Sequence, residues 1–228
     1  PLTQPLPFTP FKDFTGRSIN EINLYSTEMS SALCSIDRVS ASANMNNRLS
    51  EAIVEAYKST NGTPISFELM LKCYQSRMKD ANNDDSISSV LKQLVNAHIF
   101  ESEDKVSLID DSYIIKMDGY PKDGPIAKAI VYFLMSKLNN IYELLDKQAV
   151  NDEVVQIRHF SIIDEAHYML DFDNRPLRNL IAVGRNKGLS IILATQNMSS
   201  FKSKGFDFYA NAQYPLIMKQ QTIDDKVI

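Results

Sequence analysis

Two carboxylates stand side by side at the end of an apolar run, Phe160-Ser161-Ile162-Ile163-Asp164-Glu165. Where a buried strand gives way to solvent, such a pair suits nucleotide hydrolysis. The first carboxylate holds Mg²⁺ through water, because that ion prefers oxygen ligands and keeps part of its hydration shell. The second stands beside the γ-phosphate and orients or deprotonates the attacking water. Adjacent residues at a strand end diverge, so Asp164 is assigned to the metal and Glu165 to the water. An exposed Asp-Glu that opens a helix and offsets its dipole has the same composition.

Thirty-two residues beyond Asp164, the run Ile191-Ile192-Leu193-Ala194-Thr195 ends in Gln196. The C-terminal edge of a neighbouring parallel strand is where α/β sheets place their ligands. An amide there senses the γ-phosphate and holds the lytic water; the alternative is a helix-capping turn built on Thr195 or Asn197. Between the two motifs lies Gly184-Arg185-Asn186-Lys187-Gly188. Arg185 is a candidate charge-stabilising arginine, acting on its own phosphates or on those of an adjacent subunit. The plainer reading makes Arg185 and Lys187 cations matched to a helix C-terminus that stops at Gly188. A phosphate-cradling Gly-x-x-x-x-Gly-Lys-Ser/Thr loop is absent, since none of the seven glycines precedes a lysine. Either this loop lies upstream of Pro1 or the chain never binds ATP; the four prolines among residues 1–15 and the missing initiator Met favour the first. The chain by itself is therefore expected to hydrolyse ATP negligibly.

The elements that must hold these residues follow from periodicity. Residues 1–16 read as an extended connector. From 17 to 110 the apolar spacing is helical, with an amphipathic face at Ala52, Ile53, Ala56 and Tyr57, a helix over 67–78, and a stripe at Ile87, Val90, Leu91, Leu94 and Val95 opened by Ser86. A short hairpin is predicted over 98–108. From 111 to 228 the pattern alternates. Strands are predicted at 113–117, 159–163, 189–195 and 214–218, with a long helix from Pro125 and another over 176–186. Strands that are apolar throughout and alternate with helices indicate a parallel sheet covered on both faces. The fold class is thus α/β, a helical subdomain preceding part of a parallel-sheet core.

With 44% apolar and 23% charged residues in 228, the composition excludes a disordered tail, a collagen-like rod and a disulfide scaffold. Cys34 and Cys73 show no paired spacing, which fits small buried thiols in a reducing, cytoplasmic setting. No segment reaches the roughly 18 apolar residues of a membrane span, so no membrane partner is expected. The net charge of −4 argues against bulk phosphate binding and is unevenly placed. Residues 80–111 carry eight acids against Lys92 and Lys105, which suits a protein partner better than DNA. Residues 171–206 carry six bases against Asp171 and Asp173, with Lys202 and Lys204 in a polar loop after the sensor strand. Lys187, Lys202 and Lys204 are the candidate DNA or subunit contacts; a solvated loop is the alternative.

The three linked motifs resemble the HerA/FtsK branch of P-loop ATPases, whose members carry an apolar strand ending Asp-Glu, a helix ending Gly-Arg-x-x-Gly and a strand ending Ala-Thr-Gln. The match covers roughly 112–228, and the helical stretch before it is similar to the insertion HerA-type proteins carry after their phosphate loop. Within the branch, 159–170 and 183–219 look most like ATPase subunits of systems restricting DNA that lacks phosphorothioate modification. The resemblance implies a RecA-like core, ATP and Mg²⁺ as cofactors, a homo-oligomer (a hexamer), work on double-stranded DNA, and two companion restriction subunits. Two other readings stay open. One is a non-catalytic RecA-like scaffold that docks those subunits. The other is a DEAH-type helicase lobe, which Asp164-Glu165-Ala166-His167 also spells, although the Gly-Arg-x-x-Gly turn and Gln196 favour the translocase branch. His167 is then either a partly buried helix residue or a coupling residue.

Overall fold

The structure is a computed structural model. It describes residues 4–36, 41–80, 83–117, 119–120, 124–151, 154–170, 172–196, 202–203, 206–208, 210–212 and 214–216. Four helices come first: α1 (Ile19–Ile36), α2 (Ala43–Ser59), α3 (Phe67–Gln75) and α4 (Ser86–Ala97). Each packs on the next in sequence. α1 buries Ile22, Met29, Leu33 and Ile36, and α2 buries Leu49, Ile53, Ala56 and Tyr57, one face apiece, as the spacing requires.

Local chemistry sets the helix ends. Ser42 and Ser66 cap α2 and α3 through their hydroxyls. α4 opens on Asp85 rather than Ser86: Asp85 Oδ1 accepts from the Ser88 amide and Ser88 Oγ accepts from the Asp85 amide, both at 2.9 Å. The carboxylate wins this position because it also takes Arg48 (3.1 Å) and the Tyr74 hydroxyl (2.7 Å), joining three helices at one point. α3 stops at Gln75, three residues short of the predicted end.

The Pro-rich opening lies against the helices. Phe8, Phe11 and Phe14 are buried, and Phe11 meets Phe67 and Phe133 edge to face. The Phe14 amide donates to Gly62 O at 2.8 Å. Gly62 sits at φ +88°, and a Cβ there would come within 2.7 Å of Phe14 O, so the turn after α2 needs glycine. The predicted hairpin over 98–108 does not pair with itself. Phe100 instead bridges to Leu6, with Leu6 N donating to Ile99 O (2.6 Å) and Glu101 N to Leu6 O (3.0 Å). Packing of the Phe8 and Phe100 rings, 5.5 Å apart, favours the N-terminal segment over a hairpin partner.

α5 (Pro125–Leu144) is the shared wall, with Pro125 in its first turn. Its Ala129, Ile130, Tyr132 and Phe133 join the helical core. Its Val131, Met135, Leu138 and Tyr142 join a second core with Ile163, Leu177, Leu180 and Leu189. That second core is the α/β part. β3 (His159–Ile163) and β4 (Leu189–Leu193) pair in parallel, His159 opposite Leu189 through Ile163 opposite Leu193. Between them run α6 (His167–Leu170), α7 (Arg175–Val183) and a 3₁₀ turn over Gly184–Lys187. The helix predicted over 176–186 thus tightens in its last turn. Two antiparallel ribbons complete the regular structure, β1 (Val150–Asn151) with β2 (Val154–Val155) and β5 (Lys202–Ser203) with β6 (Phe206–Asp207).

The fold class is α/β with a helical subdomain. The sheet is smaller than the sequence predicted. Residues 112–117 form no strand, and Ile114 is 89% exposed. Residues 214–216 are irregular, and 217–218 lie outside the described residues. A strand is only as regular as the neighbours that pair with it, and both outer edges of the β3–β4 pair stand open among the described residues. One face of the pair packs on α5 and α7; on the other, Phe160 (56%), Ile162 (70%) and Ile192 (45%) are exposed. Cys34 is partly buried and Cys73 buried; burial pushes the Cys34 thiol up to about 11. Among the described residues no helix is long and apolar enough to cross a membrane.

Candidate functional site

The parallel register carries β3 and β4 to a common end. There Ala194 N donates to Ile163 O (2.9 Å) and Ala166 N donates to Ala194 O (2.8 Å), so two main-chain bonds lock the turn after β3 to the end of β4. Between those bonds the chain must reverse sharply. Glu165 makes the reversal at φ +51°, a left-handed conformation uncommon for a residue with a Cβ and costing roughly 1 kcal/mol or more. Such conformations cluster at functional sites, though Asn61 and His98 adopt them at helix ends too.

The reversal sends the two carboxylates different ways. Asp164 is exposed, and its Oδ1 accepts from the Glu165 amide at 2.9 Å. Glu165 turns toward β4. Its Oε1 accepts from Gln196 Nε2 at 2.6 Å, and its buried Oε2 lies 3.3 Å from His167 Nδ1. Thr195 Oγ1 is 3.3 Å from the same imidazole nitrogen. Asp164, Glu165 and Gln196 therefore stand at one edge of the strand pair. His167 and Thr195 join them; the Asp-Glu-Ala-His spelling was the available signal. A cavity of about 1060 Å³ opens beside this edge, between α5, β3 and the irregular residues 109–117, and both carboxylates line it.

The remaining candidates lie elsewhere. Arg185 is exposed in the 3₁₀ turn that precedes β4, at the opposite end of that strand from Gln196. Five strand residues span about 17 Å, beyond the reach of an arginine side chain, so the structure does not bring Arg185 to the carboxylates. Lys187, the candidate DNA or subunit contact in this turn, is engaged within the chain. Its Nζ donates to Tyr142 O (2.6 Å) and Glu143 O (3.0 Å), so the ammonium caps the C-terminus of α5. Lys202 lies in β5 with its side chain outside the described residues, as is the whole of Lys204.

Gly188 ties the two strands at their other end. It sits at φ +83°, and its carbonyl accepts from the amides of Arg158 (2.7 Å) and His159 (3.1 Å). A Cβ there would come within 2.8 Å of Gln156 O. His159, at the start of β3, is half-buried, and desolvation holds its imidazole below the ordinary value. As a cation site, Asp164 offers one hard carboxylate facing solvent. That donor suits Mg²⁺, which is held by one or two carboxylates and otherwise by water and phosphate oxygens.

No family profile matches the chain, and no curated protein matches it. Among solved structures it is similar to the structure of VirB4 of Thermoanaerobacter pseudethanolicus, with a TM-score of 0.61 and 17% identity over 90% of this chain. The chain spans 57% of that structure's length. The likeness is one of fold.

Proposed function

We propose that this chain is part of an ATP-hydrolysing motor subunit of the HerA/FtsK type that moves along double-stranded DNA. The observation that carries the reading is the hydrogen bond from Gln196 to Glu165 across the ends of two parallel strands. The fold likeness to VirB4, a P-loop ATPase of the same superfamily, supports it. Within the branch, the wording of 159–170 and 183–219 points to DptH (also called DndH), the ATPase subunit that restricts DNA lacking phosphorothioate modification. Companion restriction subunits and a hexameric ring belong to that proposal.

In this mechanism Glu165 is the general base. Its carboxylate accepts the proton of the attacking water, and Gln196 holds that water or the γ-phosphate beside it. Asp164 is the residue that would hold Mg²⁺ through its exposed oxygen. The ion, when bound, neutralises charge developing on the phosphates. Arg185, a strand's length away, stabilises charge on the nucleotide of the adjacent subunit rather than its own. Lys202 and Lys204 remain candidate contacts for DNA or a neighbouring subunit.

The test is Glu165→Gln in the full-length protein carrying a phosphate-binding loop. Hydrolysis falls about 10²–10⁴-fold, the contribution of one general base, and DNA restriction falls with it. Restriction that survives a hydrolysis-dead variant would favour the scaffold reading, in which the exposed face of Phe160, Ile162 and Ile192 serves mainly for docking.

A further inference from the structure

We infer that His167 is a positioning residue for Glu165, anchoring the inner carboxylate oxygen so that only the outer one is presented to water. The inference rests on the ATPase reading above and assigns a task to a side chain that reading leaves idle.

The two oxygens of Glu165 are held differently. Oε1 accepts from Gln196, an exposed amide at the open edge, where ligand or water can replace it. Oε2 is buried and makes no hydrogen bond, with His167 Nδ1 3.3 Å away. A proton on Nδ1 would give this orphaned oxygen a partner, whereas a bare Nδ1 would accept from the Thr195 hydroxyl and leave Oε2 unsatisfied. Because a buried unpaired carboxylate oxygen is costly, the Nδ1–H tautomer is the one assigned. Thr195 Oγ1, 3.3 Å away, is a second oxygen beside that nitrogen. The frame is stiff. Thr195 follows Ala194, whose amide and carbonyl are bound to Ile163 and Ala166, and His167 follows Ala166 directly. His167 and Thr195 thus keep their places when the Gln196 contact opens. The distance of 3.3 Å is long for such a bond, and catalytic hydrogen bonds commonly tighten only once substrate is bound. A glutamate has three rotatable bonds and already occupies a left-handed backbone here. Without a second grip, losing Gln196 would let the carboxylate swing out of line, and misplacement by about 1 Å can cost up to about 10²-fold in rate.

The experiment compares His167→Ala, His167→Asn and Thr195→Val in the full-length protein. Asparagine places an N–H close to the position of Nδ1. His167→Ala is expected to lower kcat about tenfold, with KM for ATP unchanged, and His167→Asn to recover most of that loss. Thr195→Val is expected to lower kcat without moving KM. Nitrogen-15 NMR of the imidazole provides a readout independent of turnover: the neutral ring is expected as the Nδ1–H tautomer. An Nε2–H tautomer, an unchanged kcat in His167→Ala, or an Asn variant as impaired as the Ala variant would each overturn the assignment. If His167→Ala does not fold, the Asn variant and the tautomer decide. Should Glu165→Gln remain active, the ATPase reading fails, whereas the tautomer still reports on the His167–Glu165 contact.

Discussion

Gln196 and Glu165, thirty-one residues apart in the chain, share a hydrogen bond of 2.6 Å. They meet because Ile163 and Leu193 are register partners, and each chain runs only two or three residues past that pair before its polar side chain. The amide of one strand end therefore occupies the base of the other. In the proposed cycle the contact must loosen whenever a water is deprotonated, so the resting site is held closed by its own sensor.

Replacing Gln196 by Ala removes that contact and the group that senses phosphate. Turnover should fall about 10²-fold, while nucleotide affinity, measured with a fluorescent analogue, should change little. Loss of binding comparable to the loss of rate would show that Gln196 serves substrate affinity instead.

Arg185 and Glu165 sit at opposite ends of the β3–β4 pair, so they are assigned to different nucleotides. Arg185→Ala alone should lose about 10³–10⁵ in kcat, the contribution of an arginine finger. Mixed with Glu165→Gln subunits, it should regain measurable hydrolysis, because some interfaces then combine one intact Arg185 with one intact Glu165. If two individually dead proteins stay dead when mixed under subunit exchange, Arg185 acts within its own subunit or not at all.

Lys187 is expected to matter for stability rather than for DNA. Lys187→Met keeps the aliphatic stem and leaves two α5 carbonyls without their ammonium, a loss of about 1–2 kcal/mol in denaturant unfolding. The salt dependence of DNA binding should be unchanged. A shallower salt slope would return Lys187 to the phosphate contacts.

His159 makes the fold sensitive to mild acid. Burial holds its folded-state pKa below the ordinary 6.5, so in that window the unfolded chain binds the extra proton. The stability it contributes is therefore present above pH 6.5 and is lost as pH falls through the imidazole range. His159→Gln should flatten that part of the stability–pH curve. The lowered carboxylates Asp13, Glu21 and Asp84 titrate at lower pH and would be untouched.

Much of this arrangement is legible along the chain. The apolar runs 159–163 and 189–193 read as parallel strands covered on both faces; they do pair in parallel, but one face of the pair is exposed. Asp164-Glu165 and Gln196 follow those runs directly, so their shared edge could be read before any coordinates. Helix faces in α2 and α4 were legible for the same reason, since burial every three or four residues writes its own period. Other features depend on partners that are distant in sequence. The opening segment looked like a connector because prolines break local pattern, yet Phe8, Phe11 and Phe14 are buried against residues 43 to 122 positions away. Lys187 looked like a cap for its own helix and caps α5 instead. The Tyr113–Met117 run has strand composition and no strand, because regular pairing needs a neighbour it does not have among the described residues.

The alternation of apolar runs and polar termini is a local property, so it sets which residue types stand at the ends of the two strands. How they face one another follows from pairing between distant segments. The parallel register joined Gln196 to Glu165, the left-handed turn at Glu165 parted it from Asp164 and brought His167 behind it, and the length of β4 carried Arg185 to the far side. Those outcomes depend on main-chain bonds between segments some thirty residues apart, and no local pattern encodes the direction in which such bonds turn a side chain.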